Sequence, residues 1–299
     1  MKKLLLLLSA VGMIFTACTP GGGLDDDNNG NPTEQPGGGN QGGVEIPADK
    51  TQAIKFQDEN TKLLCTLHWD KNEDGELSYE EAAAVTDLGT AFKGSSIFAF
   101  TELKYFTSLE TIANGAFSSS EYLTSITIPD SVTSIGAFAF SCCSSLRSIT
   151  IPDSVTSIGT AVFQLCYSLS AIYCKYASSD NRCLIVDGVL KSFAPAGLTE
   201  YTIPDRVTSI EDEAFAWCKW LTSVTIPDSV TEIGYEAFRY CSSLRKVYCK
   251  PTTPPMGSYN MFDNNASGRT ICVPRNSVEA YKAASGWSDY ASDIVGYDF

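Results

Sequence analysis

One short segment of the sequence carries oxygen ligands at the spacing that a calcium ion requires. Acidic and amide side chains alternate at Asp70, Asn72 and Asp74, a glycine follows at Gly75, and a glutamate closes the segment at Glu81. Side chains on alternate residues can reach one ion, the glycine permits a sharp bend, and the last glutamate can supply both carboxylate oxygens. The spacing predicts a calcium site with ligands from Asp70, Asn72, Asp74, Glu76, Ser78 and Glu81.

This segment resembles the loop of an EF-hand. In such a loop Glu76 binds through its backbone carbonyl and Ser78 binds through a water molecule, and helical patterns over 62–69 and 79–85 flank the segment. EF-hands and dockerin modules usually carry two loops, and this sequence has one. We therefore expect a structural calcium ion in a helix–loop–helix cap over residues 51–96. The alternative is an acidic, solvated turn that holds no metal.

Residues suited to nucleophilic or zinc catalysis are scarce. His68 is the only histidine, and it follows Cys65 by about one helical turn. A cysteine–histidine nucleophile is one interpretation of this pair, and a packed helix beside the calcium loop is the favoured one. The sequence also has no glycine-rich phosphate loop at a strand–helix junction. These features predict a protein that is not an enzyme.

The first residues form an export signal. Lys2 and Lys3 precede an apolar run over 4–15 that is shorter than the roughly 20 residues of a membrane-spanning helix. Small residues and then Cys18 follow this run, which predicts a lipoprotein signal peptide over 1–17 and lipidation of Cys18. An ordinary signal peptide with a stray cysteine is the alternative.

Residues 18–50 are rich in glycine, proline and asparagine, which predicts a flexible linker after the lipid anchor. An acidic cluster over 25–27 resembles the surface-export signal of Bacteroidetes lipoproteins, or is a solvated charge run. The formal net charge of −14 disfavours nucleic acid and anionic lipid surfaces. We expect a protein lipid-anchored to the outer membrane, exposed at the cell surface, with no other membrane contact.

From about residue 97 onwards the sequence repeats with a step of 23 residues. The unit reads L-x-x-I-x-I-P-D-S-V-x-x-I-G-x-x-A-F-x-x-C-x-x. Repetition of this length is typical of solenoids, whose units cannot shield their apolar side chains alone and must stack. The step is carried by Leu123, Leu146 and Leu169, then Leu221 and Leu244; by Ile112, Ile135 and Ile158, then Ile210 and Ile233; and by Phe117, Phe140 and Phe163, then Phe215 and Phe238.

Each unit predicts a short strand, a bend and a helical turn. Ile126 and Ile128 alternate with polar residues, so one face of a strand is apolar. Pro129 ends this strand because it cannot donate a ladder hydrogen bond. Gly136 is expected to permit a tight corner, and residues 139–140 are expected on a short helical turn. The predicted fold is an α/β repeat solenoid.

One coil of the predicted solenoid is larger than the others. The step from Ile151 to Ile203 exceeds two regular coils. Within the added length, Asp187 and Gly188 separate two apolar runs, which is typical of a β-hairpin with a type I′ turn. We expect this hairpin near 176–198, either projecting from its coil or extending the sheet.

The C-terminus departs from the repeat. Repeats are predicted over 97–270, a last strand over 271–274 and a helical pattern over 278–290, so that residues 271–299 form a helical cap. Cysteines also keep the repeat spacing, at Cys143 and Cys166 and at Cys218 and Cys241. They favour a row of buried free thiols, with disulfides or a metal site as alternatives.

The elements I-P-D-S-V and I-G-x-x-A-F-x-x-C resemble the BspA-like leucine-rich repeats of bacterial surface proteins. The resemblance covers about residues 97–299 and implies a leucine-rich-repeat fold. It also implies adhesion to host matrix proteins, contact with host receptors, or co-aggregation between bacteria. These roles belong to whole surfaces, so the resemblance assigns no individual binding residue.

Two binding functions are open from the sequence. The first is protein binding or adhesion to host matrix or envelope proteins, through a polar strand face formed by Ser125, Thr127, Ser148, Thr150, Tyr173, Thr202, Ser223, Thr225, Lys246 and Tyr248. The second is a glycan-binding component of a surface uptake system. The observation behind this second function is a set of aromatic residues near the C-terminus, Tyr248, Tyr259, Tyr281 and Trp287. Aromatics that stack on sugars must be exposed, whereas capping aromatics are buried.

Overall fold

The isoleucines of each repeat form short strands, because alternate side chains of a strand point to the same face. The computed structural model describes residues 44–299, which lie in one unit. The predicted signal peptide, the predicted lipidation site Cys18 and the acidic cluster over 25–27 lie outside the described residues. The strands are β1 (Ala99–Phe100), β2 (Thr111–Ile112), β3 (Ser125–Ile126), β4 (Ser134–Ile135), β5 (Ser148–Thr150), β6 (Ser157–Ile158), β7 (Ala171–Tyr173), β8 (Cys183–Val186), β9 (Val189–Phe193), β10 (Glu200–Thr202), β11 (Ser209–Ile210), β12 (Ser223–Ile226), β13 (Glu232–Ile233), β14 (Lys246–Cys249), β15 (Met256–Gly257), β16 (Thr270–Pro274) and β17 (Ile294–Tyr297).

Helices lie outside the regular coils. Within the described residues the α-helices are α1 (Glu59–Trp69), α2 (Tyr79–Ala83) and α3 (Val278–Ala283), and short 3₁₀ segments occur at Thr101–Tyr105, Arg275–Ser277 and Ser288–Tyr290. No helix of residues 44–299 is long and apolar enough to cross a membrane.

Strands of successive coils pair in parallel along two lines. The first line contains β1–β3, β5–β7 and a sheet in the order β10-β12-β14-β16-β17. The second line contains β2-β4-β6 and a sheet in the order β15-β13-β11-β9-β8. Thr111 pairs with Ser134 and Ser134 with Ser157, which is the 23-residue step of the sequence. The predicted repeat solenoid with coils of about 23 residues is confirmed.

The predicted helical turn of each coil is replaced by a third hydrogen-bonded line. The N–H of Phe117 donates to the carbonyl of Ala139 at 2.8 Å, and the N–H of Phe140 donates to Val162 at 3.0 Å. Left-handed residues, Phe138 with a φ of 56° and Cys142 with a φ of 61°, stand on either side of this segment. Because left-handed residues cannot continue a right-handed helix, the backbone bonds the next coil instead. The repeats are therefore built of strands and turns.

Gly136 and Gly159 recur at the repeat spacing for a different reason from the one predicted. Neither glycine has a positive φ. A Cβ atom on Gly136 would lie 2.6 Å from the backbone nitrogen of Asn114, and one on Gly159 would lie 2.3 Å from that of Ala137. Glycine is needed here because the preceding coil leaves no room for a side chain.

Phenylalanine rings fill the core between the lines. Phe117, Phe140 and Phe163 stack with centroids 5.2 and 5.8 Å apart, and Phe140 is fully buried. An equivalent stack contains Phe215, Phe238 and Phe262, with centroids 4.8 and 5.2 Å apart. The two stacks belong to separate hydrophobic clusters, which meet at the enlarged coil.

The enlarged coil carries the hairpin. β8 and β9 pair antiparallel, and β9 also pairs with β11 in parallel, so the hairpin extends the second line. Asp187 and Gly188 join the strands with φ values of 49° and 82°, as a type I′ turn requires. Leu184 packs in the first hydrophobic cluster, whereas Cys183 and Ile185 pack in the second. β8 is thus a wall with a core on either face.

The C-terminal segment contains more strand and less helix than the sequence indicated. β17 pairs with β16 in parallel, so the strand over 271–274 is not the last one. Helix α3 has six residues rather than extending to Tyr290. Tyr281 and Trp287 are fully buried, and each donates a hydrogen bond to a backbone carbonyl, at 2.7 and 2.8 Å. Their polar atoms are therefore satisfied inside the core.

Candidate functional site

The outward side of the first strand line presents the polar face expected from the sequence. In register, Thr202 lies beside Thr225, which lies beside Tyr248. The inward neighbours Val224 and Val247 are fully buried, so the alternation of the strands separates core from surface. None of the ten predicted outward residues is buried: Thr127, Ser148, Thr150, Thr202 and Lys246 are exposed, and Ser125, Tyr173, Ser223, Thr225 and Tyr248 are half-buried.

The aromatic residues near the C-terminus divide into two groups. Tyr281 and Trp287 are fully buried and cannot stack on a ligand, whereas Tyr259 is 74% exposed and Tyr248 is half-buried. Tyr248 also packs edge-on against Tyr297, with ring centroids 5.3 Å apart. Tyr297 was not among the predicted aromatic residues, because it lies on β17, a strand that the repeat pattern does not reach. The strand over 271–274 was expected to be the last one, so β17 itself was not predicted.

The predicted calcium loop is held by hydrogen bonds from backbone N–H groups to its own side chains. The N–H of Gly75 donates to Asp70 Oδ2 at 2.9 Å, that of Asp74 to Asn72 Oδ1 at 3.0 Å, and that of Glu76 to Asp74 Oδ1 at 2.8 Å. Gly75 has a φ of 85°, as the sharp bend requires. Asp70 Oδ1 is buried and has no hydrogen-bond partner among residues 44–299. An oxygen buried without a donor is costly, and a cation would satisfy it.

Glu81 uses both carboxylate oxygens within the protein. Oε1 accepts from the N–H groups of Lys71 and Asn72 at 2.9 and 3.3 Å, and Oε2 accepts from the N–H and hydroxyl of Ser78 at 2.9 and 2.8 Å. Burial acts to raise the pKa of Glu81, but these hydrogen bonds outweigh it and lower the pKa. Glu81 is therefore ionised at neutral pH, which a calcium ligand must be.

Two of the remaining predicted calcium ligands, Glu76 and Ser78, make contacts with other residues of the protein. The Glu76 side chain pairs with Lys62 Nζ at 2.7 Å, so only its backbone carbonyl is left for an ion. Ser78 caps α2 by accepting from the N–H of Glu81 at 3.2 Å. Across residues 44–299, no three His, Cys, Asp or Glu side chains are grouped closely enough to hold a metal. Calcium binding by this loop therefore stays a prediction.

The loop segment is fastened to the first coil of the solenoid. Asp58 caps α1 and its Oδ2 accepts from the N–H of Phe98 at 2.6 Å, while the hydroxyl of Thr61 donates to the carbonyl of Ala99 at 2.8 Å. The N–H of Ile54 donates to the carbonyl of Leu77 at 2.8 Å, in an antiparallel bridge beside the loop. The loop, α1 and the first strand therefore form one hydrogen-bonded assembly.

The cysteine residues pack as a structural row. Sγ of Cys143, Cys166 and Cys241 each approaches the carbonyl of the phenylalanine one coil earlier, at 3.2, 3.1 and 3.1 Å. All ten cysteines between Cys65 and Cys272 are free thiols. Burial raises the pKa of Cys143 to about 12, and it also raises the pKa of Cys65. Because Cys65 is buried and His68 is exposed, this pair lacks the thiolate character that a nucleophile needs.

The described residues form a leucine-rich-repeat solenoid. Its marks are coils of 23 residues, parallel strand lines, stacked phenylalanine rings in the core and a polar outward face. The family model described as BspA type leucine rich repeat region, with six copies, matches residues 90–182 and 190–284. These segments make up more than half of the chain, and the chain therefore belongs to the BspA-type leucine-rich-repeat family. No curated protein sequence gives a significant match to it.

Three solved structures are similar to the chain. A leucine-rich cell surface protein from Faecalibacterium prausnitzii is 25% identical over 64% of this chain and 58% of its own, with a TM-score of 0.45. The pneumococcal vaccine antigen PcpA is 20% identical over 57% of this chain and 50% of its own, with a TM-score of 0.43. A leucine-rich repeat protein from Bacteroides ovatus is 21% identical over 73% of this chain and 67% of its own, with a TM-score of 0.31. The chain thus spans about half the length of the first two, 58% and 50%.

Proposed function

We propose that this chain is a non-enzymatic cell-surface module that binds proteins, and mediates adhesion, through the outward side of its first strand line. The observation that carries the proposal is the set of ten outward residues, all exposed or half-buried on one side of the parallel strands. Membership of the BspA-type family supports the same role. Host matrix proteins and envelope proteins are the partner classes.

The chemistry of this face suits contact over a broad area. The strands of the first line bond to each other along their backbones, so a partner meets side chains rather than free backbone groups. Those side chains are mostly short hydroxyls, such as Thr150 and Thr202, which lose little rotamer entropy when they are ordered. A stable protein interface covers about 1,200–2,000 Å² in total, and several adjacent coils must contribute to it.

Two arginine substitutions on this face test the proposal. Thr127→Arg with Thr150→Arg places two long charged side chains on exposed outward positions, and should reduce binding to immobilised matrix proteins at least tenfold. Thr133→Arg with Thr156→Arg is the matched control, because both positions are exposed next to the second strand line. Equal binding by the two variants, with unchanged melting temperatures, would contradict the proposal.

The export signal and lipid anchor complete the proposed role. Lipidation of Cys18 would tether the module to the outer membrane, and the acidic cluster over 25–27 would direct it to the surface. Cys18→Ser should release the protein from the membrane fraction into the medium or the periplasm. Protease added to intact cells should degrade the anchored protein, and full protection would contradict surface exposure.

We also propose that the loop from Asp70 to Glu81 binds one structural calcium ion. Asp70, Asn72, Asp74 and Glu81 would bind through side chains, Glu76 through its carbonyl and Ser78 through water. The buried, unpartnered Asp70 Oδ1 and the ionised Glu81 support this assignment. Glu81 would exchange its hydrogen bonds from Lys71 and Asn72 for the ion. The bound charge would fix the loop against α1 and so stiffen the assembly on the first coil.

Calorimetry and thermal unfolding test the calcium site. Extracellular sites of this type bind at roughly 10⁻⁴–10⁻³ M, so about 10 mM calcium should stabilise the protein by about 1–3 kcal/mol. Asp70→Asn with Asp74→Asn keeps oxygen acceptors in the loop but removes two charges, and should abolish both the binding heat and the stabilisation. Asp87→Asn, at an exposed acid outside the loop, is the control. A wild-type protein with no calcium heat and no change in melting would contradict the proposal.

A further inference from the structure

The C-terminal end of the outward face deepens into an open groove of about 990 Å³. Thr202 and Thr225 lie on strands β10 and β12 of its floor, and Tyr248, Tyr297 and Phe299 line it with aromatic rings. This volume is at the upper end of the roughly 300–1,000 Å³ typical of small-molecule sites. The groove is therefore large enough for an extended ligand.

We propose that this groove binds a neutral oligosaccharide, with sugar rings stacked on Tyr297 and Phe299 and hydroxyl groups bonded by Arg275 and Asp298. The assignment rests on the proposed function, in which this side of the solenoid is the binding face. It adds a second class of ligand at one defined end of that face.

The aromatic wall can take the flat apolar faces of sugar rings. Tyr297 is 41% exposed and Phe299 is 53% exposed, and their ring centroids lie 5.1 Å apart. Tyr248 supports Tyr297 edge-on from the sheet, with centroids 5.3 Å apart. Tyr297 is thus held in place by rings on both sides while part of its surface stays open to a ligand. Such held rings lose little entropy on binding.

The polar wall carries an exposed ion pair, with the side chains of Arg275 and Asp298 64% and 77% exposed. Arg275 Nε lies 3.1 Å from Asp298 Oδ1, and Arg275 Nη2 lies 2.7 Å from Asp298 Oδ2. This pairing lowers the pKa of Asp298 and raises that of Arg275, so both groups are charged at neutral pH. A two-pronged pair presents its remaining N–H groups and lone pairs in one plane, which suits the adjacent hydroxyls of a sugar.

The charges of the groove indicate that the ligand is neutral. Its lining contains two basic residues, Lys250 and Arg275, and two acidic residues, Asp228 and Asp298. The side-chain charges of the groove thus sum to zero, although the whole chain has a formal net charge of −14. These side chains give neither an acidic nor a basic ligand a net attraction.

The floor of the groove favours a sugar over an extended peptide. Strands β12, β14 and β16 each pair on both sides, so their backbone N–H and C=O groups are used within the sheet, and only β10 and β17 lie at its edges. A peptide that adds to a sheet needs such an edge, whereas the centre of this floor offers side chains such as Thr225 and Tyr248. A ligand that carries its own donors, acceptors and apolar faces fits such a surface.

Calorimetric titration of the full chain with neutral hexasaccharides of glucose, mannose, galactose and xylose tests the site. At least one should bind, and Tyr297→Ala and Tyr248→Ala should each weaken that binding by about two- to tenfold, the range for loss of one aromatic contact. Arg275→Gln should weaken it as well. Tyr122→Ala removes a tyrosine that is 63% exposed and lies outside the groove, and it should leave binding unchanged.

Three results would overturn the assignment. They are no binding of any neutral hexasaccharide to the folded protein, tighter binding of an anionic hexagalacturonate, or equal loss in the Tyr122→Ala and Tyr297→Ala variants. The paired variant Thr127→Arg with Thr150→Arg separates this inference from the proposed function. If it loses protein binding while every hexasaccharide fails to bind, the adhesion role stands and the carbohydrate site falls.

Discussion

An ordinary coil buries one face of its strand, whereas the enlarged coil buries both faces of β8. In ordinary coils, inward Ile149 is buried while its neighbours Ser148 and Thr150 are exposed. In β8, Cys183, Leu184 and Ile185 are all buried, and they alternate between the two hydrophobic clusters. The solenoid is therefore divided, and the dividing element is the one that breaks the repeat.

The two kinds of coil also differ in the hydrogen bond made to the preceding segment from the serine position of the I-P-D-S-V element. Ser154 and Ser229, each in an I-P-D-S-V element, donate to the carbonyl of Val132 or Val207 in the preceding coil, both at 2.7 Å. The coil after the hairpin has Arg206 at this position, whose guanidinium donates to Ala177 at 2.7 Å. The longer side chain reaches a carbonyl of the segment before the hairpin. The arginine that replaces the serine of the repeat at position 206 is thus explained by its contact with the segment before the inserted hairpin.

Loss of a ring from an ordinary coil should have the largest effect. Phe140→Ala removes a fully buried ring that stacks on both sides, and should lower the free energy of unfolding by about 3–5 kcal/mol. Denaturant titration measures this change. Phe138→Ala is the control, because Phe138 is 39% exposed and should cost less than about 1 kcal/mol. Similar losses in both variants would show that the stack does not govern stability.

Neighbouring residues of β8 should weaken different halves of the molecule. Leu184→Ala and Ile185→Ala should each cost about 2–4 kcal/mol. Hydrogen exchange should rise mainly in the coils before the hairpin for Leu184→Ala, and mainly in the coils after it for Ile185→Ala, because the side chains pack in different clusters. Identical exchange patterns would mean that the two clusters unfold as one.

The serine and arginine fasteners should have smaller effects. Ser154→Ala removes one hydrogen bond and should cost about 0.5–1.5 kcal/mol, while Arg206→Ser should cost about 1–3 kcal/mol because its donor is charged. Arg206→Lys keeps the charge but loses the planar guanidinium, and should recover only part of the loss. Thermal unfolding compares the three. An Arg206→Ser variant with the same melting temperature as the wild type would contradict a stabilising role for the arginine.

The smallest predicted effect is a pH dependence of the free energy of unfolding. It arises where the coil before the hairpin contacts the coil after it, at Gln164 and Glu213. Glu213 accepts a hydrogen bond from Gln164 of the coil before the hairpin. Burial first, then the nearby Glu236 and Asp212, raise the pKa of Glu213 above its ordinary value of 4.5. A carboxyl with a raised folded pKa contributes most to stability below its ordinary pKa, and that contribution is lost as pH rises through the raised value. Glu213→Gln should therefore reduce the decline in stability above pH 4.5.

Denaturation midpoints measured at a series of pH values provide this test. Glu232→Gln is the control, since Glu232 is exposed on β13. An identical pH profile in the wild type and the Glu213→Gln variant would exclude Glu213 as the titrating group. A change in the Glu232→Gln profile of the same size would point to general charge repulsion instead.

The regular coils could be predicted from sequence because their periodicity is local and repeated. Strand positions such as Ile135 and Ile158 pair at the spacing that the sequence shows. The turn near Phe138 could not be predicted, because apolar residues at left-handed positions carry no sign of it. The need for Gly159 depends on the backbone of Ala137 in another coil. Tyr297 was missed for the same reason, since its partner Tyr248 is distant in sequence.

The hydrogen bonds between coils have a mechanical consequence for the whole solenoid. Within each run of regular coils they join one coil to the next, as between Phe117 and Ala139 or between Ser134 and Ser157. Tension that pulls the end coils apart therefore loads the successive interfaces between coils in series. These interfaces are expected to open one after another. Each coil that peels away releases roughly 75–80 Å of extended chain. We therefore expect the solenoid to extend under load in steps of one coil, with β8 separating one run of steps from the next.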